Sequence, residues 1–137
     1  MGSAVAKRQR AESGVHVRNI SFFYTERQVR DQSKDVTRRL GWSNAKPGDR
    51  LQACVKCMGR IHGEPLERIC VIEIVSNRPE LLTAMLTDPV YGAAECRREG
   101  FPEMTPQQFV DMFCKHMGAK PETVVNRIQF RYVEKTS

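Results

Sequence analysis

"LERICVIEIV", Leu66 to Val75, is the run whose reading decides the fold. Ile, Val and Cys dominate it, and β-branched residues at that density mark a strand buried on at least one face. Upstream, Gly59–Pro65 reads as a loop. Before it, Leu51 to Met58 reads as a partner strand with Leu51, Ala53, Val55 and Cys57 on one face. "KPGD" at Lys46–Asp49 supplies the turn that starts this strand. Downstream, after Arg78-Pro79, the period becomes helical: Leu81, Leu82, Met85 and Leu86 form one apolar turn.

Working outward, Asp88-Pro89 predicts a helix start with Pro in the first turn, running to Glu99 and stopping at Gly100. Thr105-Pro-Gln-Gln108 is a capping box, and the helix behind it puts Phe109, Phe113 and Met117 on one stripe beside Val110. Gly118 and Pro121 end it, and His116 reads as a surface residue of its last turn. Thr123 to Val133 alternates as a closing strand, with Ile128, Phe130 and Tyr132 inward and Arg127, Gln129 and Arg131 outward. Toward the N-terminus, Val15 to Phe23 suits a short strand. Thr25-Glu-Arg-Gln28 reads as a second capping box, with Tyr24 and Val29 as its hydrophobic staple, opening a helix from Glu26 to about Ser33. "DVTRRL" then continues as an extended segment. The order predicts an α+β fold: a small, partly closed β-barrel of about five to six strands with flanking helices.

The chain has 137 residues, which suits a single domain over 15–137 with one core and hardly room for two. Residues 1–14 are small, polar and basic, and read as a disordered arm. No apolar run nears the ~20 residues of a membrane-spanning helix, and no apolar segment follows the basic start, so a cytoplasmic protein without a membrane partner is expected. Nothing indicates an oligomer, and a monomer is the simplest expectation. Five cysteines form an odd set, read as reduced thiols. Cys54-Val-Lys-Cys57 has metal or redox spacing, but no second pair completes a zinc site, so no metal and no cofactor are expected.

Charge is distributed unevenly. Residues 1–60 carry 13 Lys or Arg against 5 Asp or Glu, a net +8; the other 77 carry 9 against 11, a net −2. Such asymmetry predicts a surface for phosphates or another polyanion, and Lys7, Arg8 and Arg10 of the arm are candidate nucleic-acid contacts.

"ISFFYTERQVRDQSKDVTRRL", "KPGDRLQA", "ICVIEIVSN", "AECRREGF" and "NRIQFRYV", taken in that order and spacing, resemble an ASCH domain, a PUA-like β-barrel. The resemblance covers about residues 16 to 134. Its most specific elements are Lys34-x-x-Thr37-x-Arg39, the Pro-Gly-Asp turn and the Glu-Gly-Phe that precedes Pro102. It implies a pocket between barrel and helices for RNA or a nucleoside. Some members bind RNA, one branch is ribonucleolytic, and a compact bacterial branch hydrolyses the acetyl amide of acetylcytidine. That branch uses a lysine, a threonine three residues later and a glutamate at a helix end, positions filled here by Lys34, Thr37 and Glu99. The chain departs from the branch in its N-terminal arm and its longer helical section, Leu81 to Met117.

The resemblance therefore implies an amidohydrolase with a Thr37 nucleophile, a Lys34 base and a Glu99 acid/base. A threonine hydroxyl needs a base within reach, and lysine serves only if its pKa falls well below ~10.4. Burial and the neighbouring Arg38 and Arg39 both act in that direction. In one continuous strand, positions 34 and 37 point to opposite faces, so Lys34 must lie in the turn before the strand. Arg39 would hold a phosphate, ribose or base oxygen, and Arg38 is a further substrate contact. Phe23, Tyr24 and Trp42 are candidates to wall the pocket or stack on a base. The alternative is a non-catalytic RNA-binding module gripping through the basic first half. A ribonuclease is a third alternative, though the spacing of the residues defines no second acid/base pair for it, His16 and His62 being the other histidines.

Overall fold

The computed structural model describes residues 17–57 and 63–134. The basic arm with Lys7, Arg8 and Arg10 lies outside the described residues, as does the 58–62 segment. The described residues run β1 (Arg18–Ser21), a short 3₁₀ turn (Phe23–Thr25), α1 (Glu26–Arg30), β2 (Val36–Arg39), β3 (Arg50–Cys54), β4 (Arg68–Leu81), α2 (Ala84–Thr87), α3 (Pro89–Glu99), α4 (Pro106–Met117) and β5 (Val124–Tyr132). The strands form one curled, half-barrel sheet in the order β1-β3-β4-β5-β2. β1 pairs parallel with β3, and the other pairings are antiparallel. The edges β1 and β2 approach each other across the seam, where Arg39 Nη2 donates to the Ser21 carbonyl at 2.6 Å.

The alternation of β5 explains how one sheet serves two layers. Ile128 and Phe130 fill the concave side with Ile20, Phe22, Leu51, Ala53, Ile72 and Ile74. Val125 points the other way, into a second cluster of Leu82, Met85, Cys96, Phe109, Val110 and Phe113 under the helices. Two small cores thus replace the single one expected for this length. They fit because the strands they share bury both faces.

Several local expectations change. β4 runs straight through Arg78 and Pro79 to Leu81, paired with Asn126 and Val124 of β5, so the helical switch comes later than the periodicity suggests. Pairing supplies what the local pattern lacks. β3 ends at Cys54 with a register shift at Ala53/Cys54, so Val55 and Cys57 do not continue its apolar face. The box at Thr105 forms, with Thr105 and Gln108 bonded reciprocally, but the one at Thr25 does not. The 3₁₀ turn feeds α1 directly, and α1 has five residues rather than the expected eight. The staple is absent too: Val29 is in the barrel core, while Tyr24 lies flat on His116 at 4.2 Å.

Arg127 is the largest correction. It was expected to face water and is buried. It stands directly opposite Arg38 of β2 on one side and Arg78 of β4 on the other, a row of arginines across three strands. Like charges placed so repel, and α3 relieves them. Tyr91, Glu95 and Glu99, spaced four apart, lie along one side of that helix. Glu95 accepts from Arg127 Nε and Nη2 (2.6 and 3.0 Å) and from Arg38 Nη2 (2.6 Å). Glu80 of β4 accepts from Arg38 Nη2 at 2.9 Å and from the Tyr91 hydroxyl at 2.7 Å. The helical layer is therefore fixed to the sheet by ion pairs as well as by apolar packing.

Candidate functional site

Where β1, the 3₁₀ turn, β2, the end of α3 and the length of α4 meet, they enclose a cavity of about 260 Å³. Lys34, Thr37, Arg38, Arg39 and Glu99 form its polar floor. Phe22, Phe101, Phe109, Met112 and Phe113 form apolar walls, and Phe23, Tyr24 and His116 sit at the lip. The residues of the Lys-Thr-Glu trio, far apart in sequence, border one space.

Lys34 occupies the turn between α1 and β2, as the strand-parity argument requires. Gln32 adopts a left-handed backbone (φ 63°), and the Asp31 carboxylate accepts the Ser33 N–H at 2.9 Å, the side-chain-to-backbone bond typical of such turns. The Lys34 backbone is then pinned at both ends. Its N–H donates to the Gln28 carbonyl, and its carbonyl accepts from the Tyr132 hydroxyl. The side chain is 2% exposed and donates from Nζ to the Glu99 carbonyl at 2.9 Å and to Glu99 Oε1 at 2.7 Å.

Glu99 reaches this position because α3 ends there. Gly100 takes the left-handed cap (φ 99°), and a Cβ on it would stand 2.7 Å from Gln28 Cγ, so glycine alone fits. Gln28 in turn donates to the Gly100 carbonyl at 3.1 Å. The Glu99 carbonyl, one of the orphan acceptors of a helix end, receives the Lys34 amine. The outer carboxylate oxygen, Oε2, accepts from Arg38 Nη1 at 3.1 Å. Asp35 adds a two-bond pair with Arg98 (3.0 Å each), tying the start of β2 to α3.

Thr37 is nearly buried, and its Oγ1 accepts from Arg39 Nε at 3.0 Å. Arg39 stretches over the Phe22 ring, 4.8 Å from its centroid. Burial pushes its guanidinium down to about 10, against the fields of Glu99 and Cys57, which raise it. Burial also lowers the Lys34 amine, with Arg39 and Arg38 adding to the fall, while Glu99 opposes it.

Two expected contacts are placed differently. Arg38 borders the cavity, but its side chain is fully buried and its two Nη groups turn to Glu80, Glu95 and Glu99, while Nε has no hydrogen-bond partner among the described residues. Within the floor it is thus held by carboxylates of β4 and α3. Trp42 is not at the cavity; it packs on the barrel core under the Arg18 guanidinium, and its carbonyl accepts from Asn77. Phe23 and Tyr24 are at the mouth, half exposed, edge to face at 5.2 Å. His116 joins them there, a role that a reading as a helix-end residue misses. The Phe109/Phe113 stripe, read as core, also walls the cavity. The signal for Glu95 was present in the Tyr91, Glu95, Glu99 spacing of α3.

Cys54 is buried at the end of β3, and among the described residues no group of three His, Cys, Asp or Glu is arranged to hold a metal ion. Nor is any helix among them long and apolar enough to cross a membrane. Comparison with protein-family models, curated proteins and solved structures finds no match to this chain.

Proposed function

We propose that this chain is an ASCH-type, PUA-like domain whose cavity takes one nucleoside and hydrolyses an acyl amide on the exocyclic amine of a cytosine base. The observation that carries the reading is the convergence of Lys34, Thr37 and Glu99 on one small cavity. Its volume falls just below the ~300–1,000 Å³ usual for ligand pockets, which favours a single heterocycle over a longer ligand. The apolar walls suit a flat ring.

The chemistry follows from the hydrogen bonds. A neutral lysine amine has two N–H donors and one lone pair. Glu99 provides two acceptors, so a neutral Nζ would keep its lone pair for a proton. Thr37 Oγ1 attacks the amide carbon as its proton passes to Nζ, and Arg39 favours the negative oxygen by its bond to Oγ1. The carbon–nitrogen bond breaks, and the proton goes from Nζ to the departing amine. Water then cleaves the threonine ester, releasing the carboxylic acid and restoring the hydroxyl. Glu99 orients the amine throughout.

Incubation with N4-acetylcytidine, followed by the absorbance change on deacylation, tests the proposal. Turnover by the wild type that drops at least ~100-fold in Thr37→Ala is the expected result. Absence of turnover, or turnover indifferent to Thr37→Ala, overturns it.

One observation favours a second reading, a non-catalytic module for RNA or a nucleoside. In the structure the Lys34 amine is engaged by Glu99 and the Thr37 hydroxyl by Arg39, a network satisfied without chemistry. Nucleoside binding without turnover would select this reading.

A further inference from the structure

The charges around the cavity do not balance. Lys34, Arg38, Arg39, Arg78 and Arg127 face Glu80, Glu95 and Glu99, five positive against three negative. Lys34 pairs with Glu99, Arg127 with Glu95, and Arg38 draws on all three carboxylates. Among the described residues, Arg39 pairs with none. Its fixed bonds go to neutral oxygens, from Nε to Thr37 Oγ1 and from Nη2 to the Ser21 carbonyl, and no acceptor among the described residues takes Nη1.

A partly buried guanidinium held on neutral oxygens, with no carboxylate of its own, keeps a charge that an anionic ligand can neutralise. With a value of about 10 it remains charged at neutral pH. It also lines the cavity, so a ligand can reach it. The bonds to Thr37 and Ser21 and the Phe22 ring beneath hold the planar fork in one orientation, which suits an oxyanion better than a neutral group.

We infer that Arg39 is an anion subsite, and that the ligand of this cavity carries a carboxylate or phosphate oxygen which becomes its counter-ion. This rests on the nucleoside reading and narrows it: the preferred ligand is an anionic cytidine derivative, charged through a nucleotide phosphate or through a carboxylate on the acyl group. The uncharged nucleoside would leave Arg39 unpaired.

Calorimetric titration of the full chain with cytidine, cytidine 5′-monophosphate and N4-succinylcytidine at low ionic strength tests this, with inorganic phosphate alone as a fourth probe. At least one anionic derivative should bind about tenfold or more tightly than cytidine, and the advantage should shrink in Arg39→Gln and partly persist in Arg39→Lys. Whichever derivative gains identifies the source of the charge. If cytidine binds and neither anion exceeds it, the subsite is wrong while the nucleoside reading stands. If inorganic phosphate binds through Arg39 and cytidine does not bind, the subsite stands and the nucleoside reading falls. Binding by none of the four overturns both. Should Arg39→Gln fail to fold, the comparison of ligands on the wild type still decides.

Discussion

Lys34 concentrates the opposing forces of the site in one amine. Burial removes water from it and favours the neutral form, as do the charges of Arg39 and Arg38, while the Glu99 carboxylate at 2.7 Å favours the ammonium. The balance places it below the ordinary lysine value of 10.5. In the proposed reaction the neutral amine is the active form, so deacylation should rise with pH and level off, with an ascending midpoint under 10.5. Glu99 raises the Lys34 value, so Glu99→Gln should move that midpoint to lower pH even as the rate falls. A pH–rate profile of the two proteins checks it, and an upward move would contradict the assignment. Lys34→Met should retain no pH-dependent limb.

At the scale of elements, α3 carries the account, because it delivers Glu99 and neutralises the arginine row. Glu95 lies between two guanidiniums that face each other across β2 and β5. Burial alone would raise its carboxyl; the hydrogen bonds from Arg127 and Arg38 outweigh burial and hold it at about 2, against an ordinary 4.5. A carboxyl depressed on folding adds stability above its unfolded value and loses it as pH falls toward its folded value. Wild-type stability should therefore decline between about pH 4.5 and 2. The Glu95 share is at most roughly 3–4 kcal/mol, at ~1.4 kcal/mol per pH unit. Glu95→Gln should be less stable by ~3–5 kcal/mol at neutral pH, since it strands the buried Arg127 and takes from Arg38 one of its three carboxylates. Its acid limb should also be shallower. Denaturant titrations from pH 7 to 2 measure both, and parallel curves for the two proteins would contradict the role given to Glu95.

Across the whole molecule, part of the uneven charge along the sequence is paired across the fold. Four cations of the first sixty residues reach carboxylates of the other seventy-seven: Lys34 to Glu99, Arg38 to Glu80 and Glu95, Arg30 to Glu67, Arg50 to Glu73. Lys34 and Arg38, two of the cations that give the first sixty residues their excess, are buried and tie β2 to the carboxylates of β4 and α3. The α+β class, the α3 cap at Gly100, the Thr105 capping box and the two inward residues of β5, Ile128 and Phe130, were legible because each rests on local spacing. So was the position of Lys34, which strand parity forces into the turn. The continuation of β4 through Pro79 was not legible, because non-local pairing with β5 overrides the local pattern. Arg127 was hidden for the same reason, since an alternating strand with helices on its far face buries both sets of residues. Trp42 drew attention by its chemistry, but its left-handed backbone (φ 73°) turns the chain back over the barrel core and away from the cavity.

The central claim is that the space bounded by Thr37, Lys34, Glu99 and the α4 aromatic wall is where a cytosine nucleoside binds. A crystal of the protein soaked with cytidine 5′-monophosphate tests it most directly. The account predicts base density against Phe109 and Phe113, with the exocyclic amine toward Thr37 and Lys34. Clear ligand density elsewhere on the protein, with this cavity unoccupied, would contradict it.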